Sequence, residues 1–201
     1  MQRTVAVRAG GERRAFSKLG PACALAGLSA LGAVLVAVLA GESELQRWQL
    51  AVRYTARVAC LWFLAAYLAR PLHTLAARPF TRAWQALRRP FGLAYASAMG
   101  VHLAAVVVYL AQGGRWPRLF SRAYLSLAVV MLIAMVVTSN LGVQRRLGSA
   151  WRRLHRVGMH LQWGAFAGAF AFSVPKHEYF AWPLLLLTLI AALLRGFASL
   201  Q

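Results

Sequence analysis

Acidic side chains are almost missing from this chain. Glu12, Glu42, Glu44 and Glu178 are its only acids among 201 residues, and there is no aspartate. Charged residues make up 13%, against about 25% in an ordinary soluble domain, so a soluble globular domain is excluded. None of the four acids stands in the middle of an apolar run, which argues against an ion-coupled transporter. Cysteine is scarce too. Cys23 and Cys60 each lie alone in an apolar run; they form no CxxC pair and no metal-ligand spacing, and read as small buried residues. There is no GxGxxG, no phosphate-binding loop and no other flavin or nicotinamide signature, so redox chemistry would need a separate nucleotide-binding protein. No linker and no repeat divides the sequence.

What is abundant is apolar residue, at 60%, and arginine. Charge-free or nearly charge-free runs cover 19–41, 58–69, 90–114, 123–144, 157–175 and 179–194. A membrane-crossing helix needs roughly 20 apolar residues. Four runs reach that range. The run at 58–69 does so only if Arg53 and Arg57 enter its first turns and snorkel, and the last is short but leucine-rich. No period-2 alternation suggests a β-barrel. The expected fold is therefore all-α: a polytopic bundle of six transmembrane helices, with a cytoplasmic tail over 1–18 and one transmembrane domain over 19–201. The run at 19–41 exceeds the apolar core of a signal peptide, about 7–15 residues, and is read as a span.

Orientation follows from the basic residues. Residues 1–18, the connection carrying Arg70, Arg78, Arg82, Arg88 and Arg89, the connection carrying Arg145, Arg146, Arg152, Arg153 and Arg156, and Arg195 together hold 16 of the 23 lysines and arginines. That side is expected to be cytoplasmic, with both termini inside. The net charge of +19 then signals topology and attraction to anionic membrane lipid, not nucleic-acid binding, because the arginines flank spans. Trp48, Trp84, Trp116, Trp151 and Trp182 fall near span ends, as an aromatic belt would.

Ionisable groups inside a span are costly and mark candidate sites. His102 lies deep in "FGLAYASAMGVHLAAVVVYL", behind Ala94, Ala96, Ser97, Ala98 and Gly100, which would admit a flat macrocycle or a neighbouring helix. Arg88 is roughly 21 Å away along the same helix and within about 40° of its face. His155 opens the fifth run in "RRLGSAWRRLHRVGMH". His160 is roughly 7.5 Å deeper and rotated about 140°, so the two face different partners. His73 and His177 read as loop or interfacial residues. A histidine inside a helix bundle suits axial ligation of haem; the competing reading is a helix-to-helix hydrogen bond.

"RRPFGLAYASAMGVHL", "FSRAYLSLAVVMLIAMVVTSN" and "QRRLGSAWRRLHRVGM" resemble the ferric-reductase-like transmembrane domain, and within it the haem-binding membrane subunits of periplasmic methionine-sulfoxide reductases. The likeness spans roughly residues 50–195; its most specific part is "RRLGSAWRRLH". It implies b-type haem, one or two groups, held between the third and fifth spans, with His102 and His155 as ligands. Such proteins carry a second fifth-span histidine thirteen residues after the first, and here that position is Gly168. The outer haem thus lacks its second ligand, unless His160 or His177 substitutes or the iron stays five-coordinate. The inner arginines Arg88, Arg89, Arg152 and Arg156, and Arg57 toward the outer side, are candidate propionate partners. The resemblance implies an inner-membrane subunit passing electrons from a cytoplasmic flavin reductase or quinol to a periplasmic oxidoreductase subunit. The alternative is a haem-free or haem-poor scaffold with the same fold.

Overall fold

The computed structural model describes residues 19–115, 122–174 and 181–200, and among them eight helices and no strand. They are α1 (Leu19–Ala40), α2 (Glu44–Leu75), α3 (Pro79–Ala86), α4 (Arg88–Ala111), α5 (Arg122–Val137), α6 (Leu141–Leu147), α7 (Ser149–Ser173) and α8 (Ala181–Ser199). The arginines and lysine of residues 1–18, Trp116, and His177 with Glu178 lie outside the described residues. The chain falls into two compact units, Met1–Arg115 with Leu194–Gln201, and Trp116–Leu193.

The first unit is a bundle of α1, α2 and α4. Ser43 caps α2, its hydroxyl accepting from the Gln46 amide, so only Gly41–Ser43 separate α1 from α2 and the two pack antiparallel. α4 runs antiparallel to α2 as well, with Thr55 beside His102 and Phe63 beside Tyr95. α2 is 32 residues long, roughly 48 Å. It takes in Arg53 and Arg57, as the sequence required, and both are half-buried; the Arg57 guanidinium lies over the Tyr54 ring, 5.3 Å from its centroid.

The packing inverts the rule for soluble proteins. The buried residues of α1 are Ala26, Ala30 and Ala37, while Leu28 and Leu39 are 65% and 77% exposed. Alanines 51, 59, 69, 94 and 98 are likewise fully buried on α2 and α4. Small residues facing inward let backbones approach, and large apolar ones facing outward meet hydrocarbon. In water such a surface would be an aggregation liability.

In the second unit α5 and α7 pack antiparallel. The Gln162 amide donates to the Ala128 carbonyl at 2.6 Å, Tyr124 Oη to the Leu161 carbonyl at 2.9 Å, and Trp151 Nε1 to the Thr138 carbonyl at 2.9 Å. The Trp163 indole donates to the Thr188 carbonyl of α8.

Among the described residues four helices, α1, α2, α4 and α8, are long and apolar enough to cross a membrane, and a fifth crossing arises if α5 and α6 count as one bent span. The sequence suggested six. Two differences account for this. The run at 123–144 is not one rod: it breaks after Val137 and turns by 107°. Thr138 and Ser139 bend back to bond the Ala134 and Met135 carbonyls, and the Asn140 side chain caps α6 through the Gly142 amide. Local hydroxyl and amide bonds of this kind compete with the helix ladder. α7 has the length of a span, but three arginines, two histidines and Gln162 dilute its apolarity.

Candidate functional site

His102 sits on the buried face of α4. Ala94, Ala98 and Ala105 share that face and are closed off from solvent, and the ring itself is half-buried. Its Nδ1 stands 3.0 Å from Oγ1 of the fully buried Thr55. The Thr55 hydroxyl hydrogen is directed at the Ala51 carbonyl, 2.6 Å away, so its oxygen acts as acceptor and the imidazole donates from Nδ1. A neutral ring so held keeps its lone pair on Nε2.

His155 is fixed in the same sense by a different element. Its Nδ1 donates to the Trp151 carbonyl one turn earlier at 3.2 Å, and its ring lies on the Trp151 indole with centroids 4.0 Å apart. Trp151 is itself held by Thr138, so His155 stands beside the break between α5 and α6. It is half-buried. By helix rotation it shares the α5-facing side of α7 with Met159, Gln162 and Phe166, all buried. His160 is exposed on another side of the helix.

Two ring nitrogens on different elements, Nδ1 of His102 and Nδ1 of His155, are thus tied to oxygen acceptors. This is how imidazoles that bind metals are oriented: the second nitrogen donates to a carbonyl or carboxylate and fixes the tautomer. The donor chemistry therefore fits haem iron. No group of three or more histidine, cysteine or acidic side chains is gathered among the described residues, as a bare ion held by protein alone would require.

The small residues before His102 divide in a way the sequence did not reveal. Ser97 donates to the Cys23 carbonyl of α1 at 3.0 Å, and a side chain at Gly27 would meet Ser97 Oγ at 3.2 Å. The Ala94–Ala98 side is filled by neighbouring helices, not left as a berth for a macrocycle. Gly92 and Gly100, by contrast, face open space; Gly100 lies on the side of α4 opposite His102, and Gly92 about 80° round the helix from it. On α7 the story repeats: a Cβ at Gly158 would meet Met135 Sδ, 2.6 Å away, and one at Gly164 would meet Tyr124 Oη. Those glycines admit α5.

The arginines separate by element. Arg57 is engaged with Tyr54 on α2. Arg88 and Arg89 open α4 and are half-buried, with Arg88 in the field of Arg70 and Arg195. Arg152 and Arg156 are exposed on α7. Of the acceptors that fix the two histidines, Thr55 was not among the residues the sequence singled out, and Trp151 was singled out only as a span-end tryptophan. Thr55 carried no signal of its own; the spacing of Trp151 and His155, one helical turn, did. Cys60 is buried, as expected of a lone cysteine in an apolar run, whereas Cys23 is only half-buried. Trp84 and Trp151 do more than mark an interface, since each indole N–H bonds a backbone carbonyl, Ala65 and Thr138 respectively.

No family model matches this chain, and no solved structure matches it.

Proposed function

We propose that the protein is a haem b-binding, multi-pass subunit of an inner membrane that carries electrons between a cytoplasmic flavin reductase or quinol and a periplasmic oxidoreductase. The observation that carries this reading is the pair of tautomer-fixed histidines, His102 on Thr55 and His155 on the Trp151 carbonyl. The motif resemblance at the head of the fifth run supports it, as does the absence of any nucleotide-binding motif in the sequence. Six crossings, with α7 inserted as a polar-lined span and both termini cytoplasmic, complete the reading; interior polar residues on a span are tolerated where they face protein or cofactor. Haem would supply one-electron chemistry, with its potential set by axial ligand and burial. The chain's own part is to orient the His102 and His155 rings through their Nδ1 bonds and to keep water from the buried Thr55 side. His160, exposed, is assigned packing or interfacial duty. On this reading Arg88 and Arg89 of α4, Arg152 and Arg156 of α7, and Arg57 of α2 are the candidate partners of haem propionates.

A second reading, a haem-free scaffold of the same fold, draws on the filling of the Ala94–Ala98 side by α1 and α2. The dithionite-reduced absorption spectrum of purified protein separates the two. The conduit gives sharp b-type bands that His102→Ala or His155→Ala diminishes and His160→Ala leaves intact. A featureless spectrum after haem-replete expression supports the scaffold.

A further inference from the structure

We propose that the break between α5 and α6 is a mount for the His155 ring, and that Trp151 is the positioning residue that joins the two. That His155 then ligates haem rests on the function proposed above; the mounting of its ring does not.

The contacts run in a chain within the second unit. In an unbroken helix the Thr138 carbonyl would accept from the Gly142 amide, four residues on. The Asn140 side chain takes that amide instead, at 2.8 Å. The Thr138 carbonyl accepts from the Trp151 indole at 2.9 Å, 13 residues on. Gly148, at φ 50°, stands between α6 and α7. A residue with a Cβ rarely adopts that backbone, and the reversal it makes brings Trp151 back to the break. Trp151 then holds His155 twice. Its carbonyl accepts from Nδ1 at 3.2 Å, and its indole lies against the imidazole, centroids 4.0 Å apart and planes 32° from each other.

A tryptophan and a histidine one turn apart on a helix ordinarily sample several rotamers each. Bonding the indole N–H to a backbone carbonyl of another element selects one for Trp151, and contact with that indole selects one for His155. The acceptor exists because the helix is broken. A straight helix through 123–147 would return the Thr138 carbonyl to the Gly142 amide and leave the indole without it. The charge-free run therefore ends at Thr138–Asn140 with a consequence for the imidazole on the next helix.

The test follows the ring itself, by nitrogen NMR of the full chain labelled at histidine and reconstituted in lipid vesicles, with His155→Gln to assign its signal. The parent should give one His155 Nδ1–H signal. Trp151→Phe keeps an aromatic face and the backbone carbonyl and loses the indole N–H; it should shift or split that signal. Asn140→Ala should do the same from the far end of the chain of contacts, because the freed Gly142 amide competes for the Thr138 carbonyl. Asn140→Asp keeps a capping oxygen and should retain the parent signal. Ser43→Ala removes a cap of the same kind from α2 and should leave the signal alone. A signal unchanged in Asn140→Ala, or changed as much by Ser43→Ala, overturns the mount. Should Trp151→Phe fail to fold, exposed Asn140 carries the test through its alanine and aspartate variants. Haem affinity of the same proteins reports on the other reading. Where the parent holds haem, Trp151→Phe and Asn140→Ala should each weaken it about tenfold or more, as loss of an outer-shell partner does. A parent without haem whose His155 signal still follows Trp151 and Asn140 supports the mount and removes the haem ligand.

Discussion

A single hydroxyl decides what His102 can do. Thr55 Oγ1 gives its hydrogen to its own helix, at Ala51, and so presents an oxygen to a ring on the next helix. Removing it while keeping shape, Thr55→Val, takes from Nδ1 the acceptor that Thr55 Oγ1 provides. Loss of a partner for a buried polar group costs about 1–3 kcal/mol. Thr55→Val should therefore lower the unfolding stability in detergent by that order, and Thr55→Ser should restore it; equal stability of all three proteins would show that the contact does not hold the ring. The histidines were legible in the sequence because an ionisable group in an apolar run stands out. Their partners were not, since a threonine 47 residues away, or a backbone carbonyl, has no signature before the helices are packed.

At the scale of elements, the runs of apolar residues gave most helices close to their observed bounds, because composition and length alone determine whether a segment can lie in hydrocarbon. The extension of α2 through Arg53 and Arg57 was legible for the same reason. The break at Thr138–Asn140 was not: the run is free of charge, and only the conjunction of two back-bonding hydroxyls with an Asn cap ends the helix. The role of the fifth run's glycines was also hidden. Nothing in the run says what they admit, and Gly164 proves to be where Tyr124 of α5 crosses α7. Gly164→Ala would drive a methyl into Tyr124 Oη and displace its bond to the Leu161 carbonyl. Overpacking of this kind costs typically 1–3 kcal/mol, on the order of the lost bond or more. The pair Gly164→Ala with Tyr124→Phe should recover part of the loss in a thermal melt, because the clashing oxygen is gone; a Gly164→Ala protein as stable as the parent would contradict so close an approach of α5 and α7.

At the scale of the molecule, an alanine interior beneath a leucine exterior and an almost acid-free, arginine-rich sequence describe a chain made for lipid. In the first unit Arg70, Arg78, Arg82, Arg88 and Arg89 gather at one end of the bundle, and Glu42 and Glu44 at the other. In the proposed arrangement the first end is the cytoplasmic one, by the positive-inside rule. A reporter fused after Gln201 should accordingly be active only if it works in the cytoplasm, and a periplasm-only signal would remove the six-crossing arrangement with both termini inside.

The measurement that bears most directly on a haem-carrying conduit is a pyridine haemochrome assay on protein purified after haem-replete expression, with His102→Ala and His155→Ala beside it. One or two b-type haems per chain are expected in the parent, fewer in either variant, with folding of each variant checked by helical circular dichroism. A parent protein that is folded, membrane-inserted and free of haem would contradict the conduit and leave the scaffold.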